Sequence, residues 1–174
     1  LYDYMEKNMN VGNVLPEVVS SVGEKQKLAK LLPTPFDLLF RRFVPIKAFR
    51  DWRNKTYELH SLNDNRIINA PSLSGCLMFL RTSALRKVDL FDERFFMYLE
   101  DVDLNRRIHS IYKTQFYPYV SIQHRHEKGS YRKWKLMFYH VRSAIQYFNK
   151  WGWFIDCDRK KINNLVLKSQ LKKV

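Results

Sequence analysis

An α/β fold is predicted for these 174 residues from three observations. Short apolar runs of strand length alternate with longer segments whose apolar residues recur with helical spacing. Hydrophobic residues make up 45% of the chain and aromatic residues 15%, enough for a packed core and too much for intrinsic disorder. The longest uninterrupted apolar runs are about five residues, as over 76–80, far from the roughly 20 that a bilayer-spanning helix needs. The predicted architecture is a mixed sheet flanked by helices, with further helices at the carboxy-terminal end.

Leu1, Tyr4, Met5 and Met9 recur at i, i+3, i+4 and i+8, which predicts the tail of an amphipathic helix ended by Gly12-Asn13. Residues 11–19 read as a short strand around Val14-Leu15 and Val18-Val19, with Pro16 marking an edge or a bulge because it has no N–H to donate. Residues 20–35 carry Gly23, Pro33 and Pro35 among mixed charges and read as a surface loop with one short helical piece. Residues 36–43 suit a short apolar helix, and 44–70 read as irregular, with a turn at Asn63-Asp64-Asn65. The run 75–80 predicts a buried strand, and 82–88 a short helix capped by Thr82 or Ser83. Residues 100–111 predict a helix with Val102, Leu104, Ile108 and Ile111 inward, and 116–122 a strand. Residues 130–150 predict a long helix with Ser130 as N-cap after Gly129, its inward stripe formed by Trp134, Met137, Phe138, Val141, Ile145 and Phe148. A basic helix over about 160–171 closes the chain.

Lys and Arg number 31 against 17 Asp and Glu, a net charge of +14. Such a balance suits nucleic acid, anionic lipid or a phosphorylated ligand without choosing among them. Cys76 and Cys157 stand far apart and form no CxxC pair, so neither a disulfide framework nor a zinc ribbon is encoded, and a reducing compartment is expected. The opening residues have no basic and apolar leader pattern, and Leu1 in place of Met suggests a chain that begins inside a longer protein.

The densest acidic cluster in this basic chain is Glu100-Asp101-Val102-Asp103, preceded by the apolar and aromatic residues 95–99. Carboxylates at the mouth of an apolar pocket have their pKa raised toward the range of a general base. The simpler account is a helix N-terminus whose acids complement the dipole and pair with Arg106 and Arg107, with Asp103 fitting best. His124 and His126 flank Arg125 at a strand end, where two-residue spacing puts both rings on one face. Taken alone, the pair is better explained by a solvent-exposed strand end than by a metal site. Gly129-Ser130 at a helix start offers backbone donors to phosphate.

Taken together, these segments resemble a known family. Residues 74–81 (SGCLMFLR), the string FDERFFMYLEDVDLNRR over 91–107, then His124 and Gly129-Ser130, are similar to the acceptor half of family-2 glycosyltransferases, above all the bacterial rhamnosyltransferase-like enzymes of surface polysaccharide assembly. Residues 11–18 and Pro33-Thr34 resemble that family's middle segment. The likeness spans about residues 10–150. It implies the carboxy-terminal part of a GT-A fold, with 1–128 as the acceptor-side part of the catalytic domain, its amino-terminal nucleotide-binding half missing, and 129–174 as a basic, aromatic helical extension. It also implies an inverting enzyme in which Asp101 deprotonates the acceptor hydroxyl and Glu100, with Ser74 and Gly75, shapes the pocket. Asp92 and Glu93 are implied on the acceptor side or as structural residues. His124 is implied to help hold a divalent metal, Mg or Mn, completed by residues absent from this chain. The implied partners are a nucleotide-sugar donor and a glycan or lipid-linked acceptor. One departure is Asp89, where the family usually has Gly, which leaves the geometry of that turn open.

Two other classes compete. A nucleic-acid module fits the charge and the interleaved Tyr131-Arg132-Lys133-Trp134-Lys135, but no recognition signature accompanies it and the acidic cluster would repel phosphate, so nucleic acid is not an expected partner. A basic module on an anionic membrane fits residues 130–154 and is compatible with the enzyme. The expected location is cytoplasmic, at the inner face of the cell membrane in the docked form.

Overall fold

A computed structural model of the chain describes residues 1–40, 47–60, 65–124 and 134–171. It is an α/β structure with a mixed sheet flanked by helices, as the sequence predicts. Strand β1 (Val11–Val19) lies at the centre, buried along nearly its whole length. It runs parallel to β6 (Lys113–Gln123) and antiparallel to the two-residue β5 (Phe79–Leu80), while β3 (Ile68–Asn69) pairs antiparallel with the far side of β6. The parallel pair requires a long crossover, and the chain from 20 to 112 supplies it. A second, two-stranded sheet joins β2 (Ala29–Lys30) to β4 (Ser72–Leu73).

Pro16 is tolerated inside the central strand for two local reasons. Strand β5 pairs only with Asn13 and Val14, so the missing N–H at 16 removes no bond on that side. The β1–β6 register also shifts between Pro16 and Glu17, the bulge that proline predicts. Gly12 belongs to β1 instead of ending a helix. A Cβ there would lie 2.6 Å from Ile108 Cγ2 and 2.9 Å from Tyr112 Cβ, so only glycine lets β1 pass beneath α4 (Glu100–His109).

Helix α1 (Tyr2–Lys7) is the short helix expected, with Met5 buried and Met9 beyond its end and exposed. In the stretch 29–33, expected in a surface loop, Ala29 and Lys30 instead form β2, and Leu31 and Leu32 after it are buried in the core. Residues 36–40 form a π-helical turn, tied by an Asp37–Arg53 ion pair of 3.0 Å to α2 (Lys47–Tyr57), a helix in a stretch expected to be irregular. The Asn63-Asp64 turn and the 41–43 end of the apolar helix lie outside the described residues. Helix α3 (Thr82–Lys87) starts at Arg81, not at a Ser or Thr cap. The Arg81 guanidinium donates to the carbonyls of Met5 and Val11, joining α3 to α1 and β1. In α4, Val102, Leu104 and Ile108 are buried as expected, whereas Ile111 lies past its end and is exposed.

The largest departure concerns α5 (Trp134–Trp151). Its buried face is Ser143, Ala144, Tyr147 and Phe148, packed on Phe95, Leu99 and Val102. Trp134, Phe138, Val141 and Ile145, expected inward, are exposed. Apolar spacing identifies a face but not its partner, and α5 carries two apolar faces. Ser130 and Gly129 lie outside the described residues. Helix α6 (Cys157–Leu171) closes the fold, with Val166 in the core beside Leu15 and Leu73.

Gly12→Ala is expected to lower stability by about 1–3 kcal/mol, the typical cost of forcing extra atoms into a packed core. Urea unfolding checks it, and an unchanged midpoint would show that Ile108 and Tyr112 yield without strain.

Candidate functional site

Leu73 ends β4, and the chain then turns through Ser74, Gly75 and Cys76. The apolar run 75–80 was expected to be one buried strand, but only Phe79 and Leu80 are strand and the first three residues form a turn. The reason lies across the turn, where the Gly75 N–H donates to Asp101 Oδ2 at 2.7 Å and leaves the extended path. A Cβ at 75 would lie 3.1 Å from the Asp101 Cβ, so glycine permits the close approach. Asp101 Oδ1 accepts the N–H of Val102 at 2.8 Å.

The approach to α4 is sharply bent. Tyr98 and Leu99 both have left-handed backbones, with φ of 66° and 65°. Such residues cost of order 1–2 kcal/mol each in non-glycine side chains, and tertiary packing must hold them. Leu99 is buried beside Ala144 and Phe148, and the Met97 carbonyl accepts from Ser143 Oγ at 2.7 Å. Asp89 and Leu90 are also left-handed, with φ of 58° and 60°. The turn at 89 therefore keeps a conformation that glycine favours, and aspartate is among the residues that tolerate it best.

A second group of contacts keeps Asp101 from joining the ion pairs. Asp103 is fully buried and accepts from Arg107 Nε at 2.8 Å, from Trp151 Nε1 at 2.7 Å and from Lys150 Nζ at 2.7 Å. Arg107 also donates to the carbonyls of Val88 and Leu90. Arg106, expected to pair within α4, instead forms a two-pronged pair with Asp156 at 2.8 Å on both arms and stacks over Trp151 with its centre 4.0 Å from the ring. Asp92 accepts from Lys150 at 2.8 Å and from Arg94, and these cations hold its carboxyl far below the usual carboxylate range. Of the two acceptor-side candidates, Asp92 therefore serves the α4–α5 joint, and Glu93 is exposed.

Asp101 and Glu100 behave in the opposite way. Burial pushes the Asp101 carboxyl above its ordinary range, a shift moderated by the N–H groups of Gly75 and Val102 and by the charge of Lys30. Burial also raises Glu100, and the neighbouring Asp101 adds to the effect. Glu100 Oε2 is buried with no hydrogen-bond partner among the described residues. A half-buried carboxyl of raised proton affinity at a helix N-terminus is chemically suited to accept a proton. Lys30 is the residue sequence reasoning missed, because 20–35 read as a loop and only the pairing of Lys30 with Ser72 brings it to this end of β4.

Among the sequence-predicted residues, the structure thus brings together Gly75, Asp101 and Glu100, with Ser74 in the same turn. His124 stands one residue past β6, its N–H donating to Val19 and its carbonyl accepting from Gln26 Nε2. His126 lies outside the described residues. Among the described residues, no group of three or more His, Cys, Asp or Glu is placed to hold a metal ion, so His124 has no assembled ligand set around it. Two sizeable cavities, of about 500 Å³ between α2 and α6 and about 650 Å³ beside the end of α4, are lined by neither Asp101 nor Gly75.

With this geometry in place, comparison with known proteins adds a likeness over a short stretch. Over 36 residues the chain is 56% identical to an N-acetylglucosaminyl-diphospho-decaprenol L-rhamnosyltransferase of Mycobacterium tuberculosis, in both strain CDC 1551 / Oshkosh and strain H37Rv. That stretch relates the chain to a glycosyltransferase. It covers 21% of this chain and 12% of the relative's length, and the relationship reaches no further than that coarse kind. No protein-family model matches, and no solved structure matches.

Two outcomes are expected. In a carbon-detected carboxyl titration, Asp101 should protonate at higher pH than Asp92. Because the folded-state pKa of Asp101 is raised, its contribution to stability is present below the unfolded value and lost as pH rises through the folded one. For Asp92 the folded value is depressed, so its stabilisation is present above the unfolded value and lost as pH falls through the folded one. The reverse order would contradict the site's electrostatics. In calorimetry, the 174-residue chain should show no saturable binding of Mg²⁺ or Mn²⁺, and tight stoichiometric binding would reveal a ligand group around His124.

Proposed function

We propose that the chain is the acceptor-side part of an inverting glycosyltransferase that moves a sugar from a nucleotide-sugar to a glycan acceptor in bacterial surface polysaccharide synthesis. The observation that carries this reading is the Asp101 carboxyl, set at the start of α4, held by the Gly75 N–H and raised in proton affinity by burial. The short likeness to a rhamnosyltransferase supports it.

In this reading Asp101 takes the proton of the acceptor hydroxyl as its oxygen forms a bond to the anomeric carbon. The bond from that carbon to the departing diphosphate breaks on the opposite face, its electron pair leaving with the phosphate, so configuration inverts. Gly75 fixes the direction of Oδ2. Glu100, next to Asp101 at the start of α4 and likewise raised in proton affinity by burial, is the residue we propose shapes the acceptor pocket beside it. Lys30 adds a positive potential that partly opposes the rise in the proton affinity of Asp101. The donor contacts belong to a nucleotide-binding half outside these residues, and His124 is the proposed contribution of this chain to a metal shared with that half.

A positioned general base typically contributes about 10² to 10⁴ in rate. Asp101→Asn in catalytically competent protein should lower kcat by that factor with nucleotide-sugar affinity nearly unchanged. Near-normal turnover would remove Asp101 from the role.

A further inference from the structure

Helix α5 buries one apolar face and exposes another. Trp134, Phe138, Val141 and Ile145 are 83, 62, 38 and 41% exposed, and their spacing of four, three and four residues sets them in one line about 16 Å long. The exposed Phe96 extends the patch, its ring 5.3 Å from that of Tyr139 beside the line. Contiguous apolar surface of this kind on a folded protein marks an interaction site. Its occupant is indicated by charge. Residues 128–155 contain six Lys and Arg and no Asp or Glu; Lys150 is paired with Asp92 and Asp103, and the exposed Lys135 and Arg142 lie along one side of the line on α5 itself.

A second copy bound through the same face would bring these like-charged rims together, which disfavours a symmetric dimer. An apolar line edged by cations on a helix that carries no acid instead matches the boundary of a bilayer that carries anionic headgroups. We propose that α5 docks the protein on anionic phospholipid membranes, with Trp134, Phe138, Val141 and Ile145 entering the headgroup boundary and Lys135 and Arg142 meeting the lipid phosphates. The helix lies on the surface, since no helix among the described residues is long and apolar enough to cross it. The proposal is independent of the role of Asp101.

The test is co-sedimentation of the 174-residue chain with vesicles of phosphatidylcholine alone and of phosphatidylcholine mixed with phosphatidylglycerol. Binding is expected to the mixed vesicles only and should weaken as salt rises. Lys135→Glu with Arg142→Glu should weaken it at least about tenfold, and Phe138→Ser with Val141→Ser should do so even at low salt. All four positions are exposed, and thermal unfolding of each variant separates loss of binding from loss of fold. Absence of vesicle binding at low salt, equal binding to both vesicle types, or full binding by both variants would overturn the proposal. So would a dimer, seen by sedimentation equilibrium and dispersed by the Phe138 variant, in a protein that ignores vesicles, or competition by oligonucleotide in place of lipid.

Discussion

The buried carboxylate of Asp103 is the interaction on which the rest of the arrangement depends. It lies on the inner side of α4 and takes hydrogen bonds from Arg107 in its own helix and from Lys150 and Trp151 at the end of α5. A charge so deeply buried is tolerated only when its oxygens are fully served, and removing one partner of such a group costs about 3–5 kcal/mol. Lys150 in turn reaches Asp92, and Arg106 reaches Asp156, so one turn of α4 fixes both carboxy-terminal helices and the loop that precedes it. Helical geometry does the remainder. Residues two apart point about 200° from each other, so anchoring Asp103 inward turns Asp101 toward the opposite side and the Gly75 turn.

A chain of buried amides braces that outer side. Asn105 Nδ2 donates to the carbonyls of Leu73 and Asp101, and its Oδ1 accepts from Asn13 of β1. The central strand, the end of β4 and the first turn of α4 are therefore registered to one another by side chains that carry no charge. The left-handed pair Tyr98-Leu99 is the cost of bringing the chain into α4 at that angle, and burial of Leu99 offsets it. Two neighbouring acids thus have different partners, one surrounded by cations and one held chiefly by backbone N–H groups.

The elements with strong local periodicity were legible in the sequence. The strand through Val14 and Val18, the bulge at Pro16, the helix through Leu104 and Ile108 and the strand through Phe116 are where the spacing puts them. Asp101 was singled out by its place in the acidic cluster and Gly75 by the family resemblance, and the fold joins them. What local pattern could not supply was pairing across distance. Strands of two residues, such as those at Lys30 and Ser72, have no periodicity of their own and exist because a partner completes them. The same limit explains α5, where two apolar faces compete and Phe95, a partner of Tyr147 and Phe148, lies 52 and 53 residues earlier in the chain. Arg106 was misassigned because Asp156 is equally remote.

Lys150 serves two acids at once, and this bears on how such a sequence can change over time. Replacing it takes a cation from Asp92 and Asp103 together, and replacing Asp103 takes the acid from both Lys150 and Arg107. No single exchange at these positions leaves every charge matched, so descendants of this chain would have to alter them in concert or retain them. Substitutions on the outward line of α5 strand no buried charge. The joint between α4 and α5 is accordingly a slow-drifting part of the lineage, held by buried charge, whereas the outward line of α5 is held only by what it binds.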